Sequence, residues 1–89
     1  MGVLEFFDMR VISKKLKIRS WRRGTKEMDL ILGRFADKYI DNLNEKDLFS
    51  YKELLKCDDH QIYNWILCKE KIPENFKKIV SCVKKSLEK

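Results

Sequence analysis

Residues 25–43 have the sequence TKEMDLILGRFADKYIDNL, whose apolar side chains recur at spacings of three and four. Such spacing places them on one face of an α-helix, because the helix completes a turn every ~3.6 residues. Most charged residues of the stretch fall on the other side, and Leu30 projects among them. The pattern predicts a long amphipathic helix packed against a core. Its predicted core face consists of Met28, Ile31, Leu32, Phe35, Tyr39 and Leu43.

Helical patterns continue on both sides of this stretch. A basic segment over residues 10–23 precedes it, and Gly24 is expected at the C′ position after that helix. Asn44 and Asp58 suit the N-caps of the third and fourth helices, and Pro73 suits the first turn of the last. The chain is therefore predicted to be all-α, a small antiparallel bundle of about five helices. Residues 1–9 are expected to form a flexible arm, and residues 10–89 a single helical domain.

The charge balance restricts the kind of partner. The chain has 89 residues, 20 of them Lys or Arg and 14 Asp or Glu, which gives a net charge of +6. This excess favours a nucleic acid, an anionic membrane or an acidic protein surface. The basic side chains of residues 10–23 spread around much of their helix, which disfavours a membrane-surface helix with separate faces. Without a signal sequence or a long apolar run, a soluble intracellular protein without direct membrane insertion is expected.

The residues offer little for catalysis. His60 is the single histidine, and it falls in the first turn of a predicted helix. The three cysteines lack C-x-x-C spacing, and neither a nucleophile–base set nor a phosphate-binding glycine loop is present. We therefore expect a binding protein and not an enzyme, with no catalytic residues, no metal site and no cofactor of its own.

Charged residues crowd around the break before the long helix. Arg22 and Arg23 precede Gly24, and Glu27 and Asp29 follow it. They suit a purely structural turn, in which arginines complement a helix carbonyl end, acids complement an amide end, and glycine takes a left-handed conformation. They equally suit a binding site. The residue types alone favour the structural interpretation slightly.

A family resemblance changes this balance. Arg23, Gly24 and Glu27 form an R-G-x-x-E motif, with Trp21 and Arg22 before it. The segment LLKCDDHQIYNWI, residues 54–66, adds a leucine pair, an acidic pair and an aromatic residue near a tryptophan. Together these features resemble the small succinate dehydrogenase flavinylation factors, also called FAD assembly factors, over roughly Arg19 to Trp65. Two features depart from the family: His60 stands where proline is common in bacterial members, and Lys14–Arg19 is unusually basic.

The resemblance implies a function without catalysis by this chain. A five-helix factor of this kind binds the flavoprotein subunit of succinate dehydrogenase, with fumarate reductase as a second candidate client, and promotes covalent attachment of FAD. FAD and the histidine bonded to it belong to the client, and the factor brings them together by proximity. We expect a monomer that binds no nucleic acid. The bacterial cytoplasm is the expected compartment, and the mitochondrial matrix is the alternative.

The motif suggests how the client is bound. Arg23 is expected to project outward as a planar fork for a carboxylate or carbonyl pair, and Gly24 to allow close backbone approach. Glu27 would receive a client cation or lock Arg23 in place. The predicted partner-binding residues are Arg22, Arg23, Gly24, Glu27, Asp29, Leu30, Arg34, Asp58 and Asp59.

Two rival functions remain open on the sequence. The first is a small basic nucleic-acid-binding helical protein with Lys14–Arg23 on phosphates. The second is a structural helical adaptor for another complex, in which Glu27 would be replaceable.

Overall fold

A computed structural model of the chain describes residues 9–88 and contains five α-helices in that range. We number them α1 (Met9–Ser20), α2 (Lys26–Tyr39), α3 (Glu45–Leu54), α4 (Asp59–Ile66) and α5 (Lys77–Ser86). Short 3₁₀ turns at Ile40–Asn42 and Glu74–Phe76 follow α2 and precede α5. The predicted all-α fold is confirmed. Met9 begins α1, and the remainder of the predicted arm, residues 1–8, lies outside the described residues.

Side-chain caps fix where the three middle helices begin. The Met28 amide donates to Thr25 Oγ1 at 3.2 Å, and the Asp47 amide donates to Asn44 Oδ1 at 2.8 Å. At the start of α4, the His60 amide donates to Asp58 Oδ2 at 3.0 Å. The predicted caps at Asn44 and Asp58 are thus confirmed. Each cap provides a hydrogen-bond acceptor for an amide that has no partner within the helix. Each of these hydrogen bonds stabilises its helix by about 1 kcal/mol.

Helix α2 supplies much of the core, as its periodicity predicts. Its side chains Met28, Leu32 and Phe35 are buried. Tyr39, which the pattern places on the same face, is instead exposed at the end of the helix, with its ring centroid 5.6 Å from that of Phe35. Leu30 is exposed, as predicted. Other core residues are Leu16 of α1, Leu48, Tyr51 and Leu54 of α3, Ile62, Trp65 and Ile66 of α4, and Ile79, Val80 and Val83 of α5.

A tryptophan–glycine contact sets the packing next to α1. Gly33 is buried in the middle of α2, and the indole ring of Trp21 lies directly on it. A Cβ added at Gly33 would overlap that ring, with only 2.7 Å to Cε3. The indole Nε1 donates to Asp37 Oδ2 at 3.1 Å, which holds the ring along α2. The chain therefore leaves α1 at a position that is fixed against α2.

A buried polar cluster joins three helices. Ser20 Oγ donates to the Leu16 carbonyl at 2.7 Å and lies 2.6 Å from the Tyr51 hydroxyl. That hydroxyl is 3.3 Å from the Leu32 carbonyl, so α1, α2 and α3 meet at this point. Burial raises the pKa of Tyr51 far above its ordinary value, because a phenolate here would lose its hydration.

Candidate partner-binding site

The motif lies in the loop between α1 and α2. We predicted that α1 ends near Arg23 with Gly24 at the C′ position, but α1 ends at Ser20. The chain turns earlier because Trp21 leaves the helix to pack on Gly33. Gly24 precedes the N-cap Thr25 and has φ +112°, a conformation that L side chains rarely adopt. Nothing lies within 4 Å of where its Cβ would be, so the backbone here is open to the outside.

The prediction that Arg23 projects outward as a fork is wrong. Its Nε donates to Asp59 Oδ1 at 2.8 Å, and its two Nη atoms donate to the carbonyls of Leu55 (2.7 Å) and Cys57 (3.0 Å). Only 11% of the side chain is exposed. The carbonyls at the end of α3 have no partner within that helix, and the guanidinium fork satisfies them. Arg23 therefore fastens the α1–α2 loop to the turn between α3 and α4.

Each of the three aspartates in the predicted set has a partner inside the protein. Asp59 pairs with Arg23, Asp58 caps α4, and Asp29 Oδ1 accepts from the Arg23 amide at 2.6 Å. This agrees with the structural interpretation of charge at helix starts. The direct contact of these aspartates with a partner stays a prediction.

Glu27 lies exposed in the first turn of α2. One alternative predicted that it would lock Arg23 in place, but the two side chains are not in contact. Its carboxylate instead accepts from the Tyr63 hydroxyl of α4 at 3.1 Å. This hydrogen bond raises the pKa of Tyr63, since ionising the phenol would place two anions together. No residue pattern predicted this contact of Tyr63, whose only signal was its place as an aromatic residue within the block 54–66.

An exposed ridge continues from Glu27 along α2. Leu30 and Arg34 follow at spacings of three and four and are also exposed, so all three occupy one helix face. The ridge borders a groove of about 450 Å³ between α2 and the end of α5. Leu87 is exposed in this groove and lies just beyond the end of α5 at Ser86. The groove is lined by Leu30, Ile31, Arg34, Phe35, Asp37, Lys38, Tyr39, Ser86 and Leu87.

Arg22 is exposed, as are the open Gly24 backbone and the three residues of the ridge. Within residues 9–88, no group of three His, Cys, Asp or Glu residues is arranged to hold a metal ion. In the same range, no helix combines the length and the apolar character that crossing a membrane requires.

The chain is similar to known proteins over most of its length. Residues 14–86 match a family model described as flavinator of succinate dehydrogenase. The chain is 43% identical over 72 residues to the mitochondrial succinate dehydrogenase assembly factor 2 of Dictyostelium discoideum, covering 81% of this chain and 51% of that protein. It is 35% identical over 63 residues to the FAD assembly factor SdhE of Legionella pneumophila, covering 71% and 80%. The SdhE of Vibrio vulnificus is 32% identical over 60 residues, covering 66% and 70%. The chain thus spans about half the length of the mitochondrial relative and most of the bacterial ones.

Proposed function

We propose that the chain binds the flavoprotein subunit of succinate dehydrogenase and promotes covalent attachment of FAD to that subunit. The chain belongs to the family of succinate dehydrogenase flavinators, and this membership is the basis of the proposal. The observation that carries the proposal is the exposed carboxylate of Glu27 beside the open backbone of Gly24, on a loop that Arg23 fastens in place. A fixed loop loses little conformational entropy on binding, which favours complex formation. The relatives give no support to the nucleic-acid-binding alternative.

Each of the three motif residues has a separate role in the proposed function. Arg23 holds the loop, Gly24 lets a client backbone approach without a side chain between, and Glu27 receives a client cation or amide. Tyr63 keeps the carboxylate oriented toward the outside through its hydrogen bond. Leu30 and Arg34 extend the contact along α2. A standard interface buries ~800 Å² on each partner, so the motif needs such a neighbouring surface.

The chemistry belongs to the client in this proposal. The factor is not an enzyme and holds no cofactor; it keeps the client in a conformation in which its histidine and FAD meet, a proximity effect. Fumarate reductase is the second candidate client. We propose a monomer that binds no nucleic acid and acts in the bacterial cytoplasm, or in the mitochondrial matrix as the alternative.

The test compares two exposed glutamates that each lie in the first turn of a helix. Glu27→Ala and Glu45→Ala each remove an exposed carboxylate from the first turn of a helix. Each should cost the fold about 1 kcal/mol or less, because both lose the interaction with the helix dipole and Glu27→Ala also loses the exposed hydrogen bond from Tyr63. With each variant as the sole factor in cells, covalent flavin is measured as fluorescence of the client band in a denaturing gel.

We expect Glu27→Ala to abolish most of the flavin signal and Glu45→Ala to preserve it. Normal flavin with Glu27→Ala would contradict the proposed contact. An equal loss with both variants would show that the effect is not specific to the motif.

A further inference from the structure

One segment carries a charge equal to the net charge of the whole protein. Residues 9–22, which comprise α1 and the start of the following loop, contain six basic residues and no acidic one. The other 14 Lys and Arg residues are balanced by all 14 Asp and Glu residues, so the net charge of +6 equals the charge of this segment. The basic residues are Arg10, Lys14, Lys15, Lys17, Arg19 and Arg22.

The outer face of α1 combines these cations with exposed apolar side chains. Ser13, Leu16 and Ser20 are buried, and the opposite face presents Val11 and Ile18, which are 47% and 54% exposed. At about 100° per residue, Val11 and Ile18 lie near the middle of an arc of about 140°. The cations flanking them on this arc are Lys14, Lys15 and Arg19, and all three are exposed. Arg22 lies beyond the end of α1, in the following loop, and is exposed as well.

This arrangement differs from the one that the basic pattern suggested. The sequence indicated cations spread around the helix, but two small serines occupy the core side and leave two β-branched apolar residues outside. Lys17 turns to the flank, where it pairs with Asp41 at 2.9 Å. The side chains of Lys14, Lys15 and Arg19 form no ion pair with any residue in the range 9–88, so their charges remain available to a partner.

We propose that the outer face of α1 binds the surface of an anionic phospholipid bilayer. Val11 and Ile18 would enter the headgroup region, and the lysines and arginines on either side would contact lipid phosphates. This is the pattern of an interfacial helix, which gains from apolar burial and from attraction to anionic lipid together. A nucleic-acid backbone would be bound by the cations alone and would gain nothing from Ile18 at the centre. The attachment is peripheral and does not span the bilayer.

Vesicle sedimentation of the full chain tests this inference. The vesicles contain phosphatidylcholine alone or with phosphatidylglycerol. We expect binding only to the anionic vesicles, weakening as salt increases. The triple variant K14E/K15E/R19E should lower the partition coefficient roughly 100-fold, because each basic residue near an anionic surface contributes about 1 kcal/mol. Ile18→Ser should lower it about fivefold through lost apolar burial.

The matched control is K69E/K71E/K85E, which changes the net charge equally at exposed lysines far along the chain. It should retain most of the binding. An equal loss in both triple variants would overturn the inference, since net charge alone would then explain binding. So would an unchanged partition of Ile18→Ser, or tighter binding to a DNA duplex than to anionic vesicles. The variants leave Arg22 and the motif intact, so client flavinylation reports separately on the proposed function.

Discussion

Replacing Arg23 by lysine separates a structural role of the motif arginine from a docking role. The guanidinium makes three contacts of 2.7–3.0 Å, with Asp59 and with the carbonyls of Leu55 and Cys57. A lysine ammonium group keeps the charge but donates all its hydrogen bonds from a single nitrogen, so we expect it to retain only one of the three hydrogen bonds. Two lost hydrogen bonds at a site that is 11% exposed should cost about 2–3 kcal/mol.

That cost is large for this protein. A chain of this length is expected to have a free energy of unfolding of roughly 4–13 kcal/mol, and each kcal/mol lost lowers the melting temperature of a small domain by about 4–8 °C. We therefore expect Arg23→Lys to melt about 10–20 °C below the unsubstituted protein. Urea titration followed by circular dichroism gives the free energy directly from the midpoint and slope.

Arg22→Lys is the control, because Arg22 is the adjacent arginine and its side chain is exposed. It should change stability by less than about 0.5 kcal/mol. A double-mutant cycle of Arg23→Lys with Asp59→Asn should show a coupling of at least about 1 kcal/mol, since the two side chains are in direct contact. If Arg23→Lys is as stable as Arg22→Lys, the guanidinium does not fasten the loop, and our account of the site is wrong.

Two further predictions concern the packing around the loop. Gly33→Ala should destabilise the fold by about 1–3 kcal/mol, because its methyl group overlaps the Trp21 ring, and should red-shift tryptophan emission as the indole is displaced into water; an unshifted spectrum with full stability would contradict the contact. Tyr51→Phe should lose about 1 kcal/mol at neutral pH, where the buried hydroxyl is protonated. Because the folded-state pKa of Tyr51 is raised, the unfolded chain releases that proton at a lower pH than the folded protein does. The stability advantage of the unsubstituted protein over Tyr51→Phe should therefore shrink above pH ~10, by up to about 1.4 kcal/mol per pH unit. A difference in unfolding free energy that stays constant up to pH ~12 would contradict this reasoning.

Local patterns predicted the elements of the fold well. The spacing of apolar residues on α2 identified Met28, Leu32 and Phe35 as core, and side-chain chemistry identified the caps Asn44 and Asp58. Both signals depend on residues within a few positions of one another, which is the range over which periodicity and capping act.

Such local patterns could not predict contacts between residues that are far apart in the sequence. Arg23 turns inward because of two backbone carbonyls 32 and 34 residues away, and a carbonyl has no residue-type signature in a sequence. The contact of Trp21 with Gly33 could not be predicted from the glycine itself. A glycine within a helix usually has no packing partner that requires it and simply lowers the stability of the helix. Helix geometry alone was enough to place Glu27, Leu30 and Arg34 of the predicted site correctly on the surface.

The inward course of Arg23 bears on how loss-of-function variants in this motif are interpreted. Arginine and glutamate stand four positions apart and look like one recognition element, yet one faces the interior and the other faces solvent. Under the proposed function, substituting Arg23 should lower the amount of folded protein in a cell, and substituting Glu27 should impair recognition of the client. Quantifying how much folded factor accumulates is therefore a prerequisite for assigning any motif phenotype to the client interface.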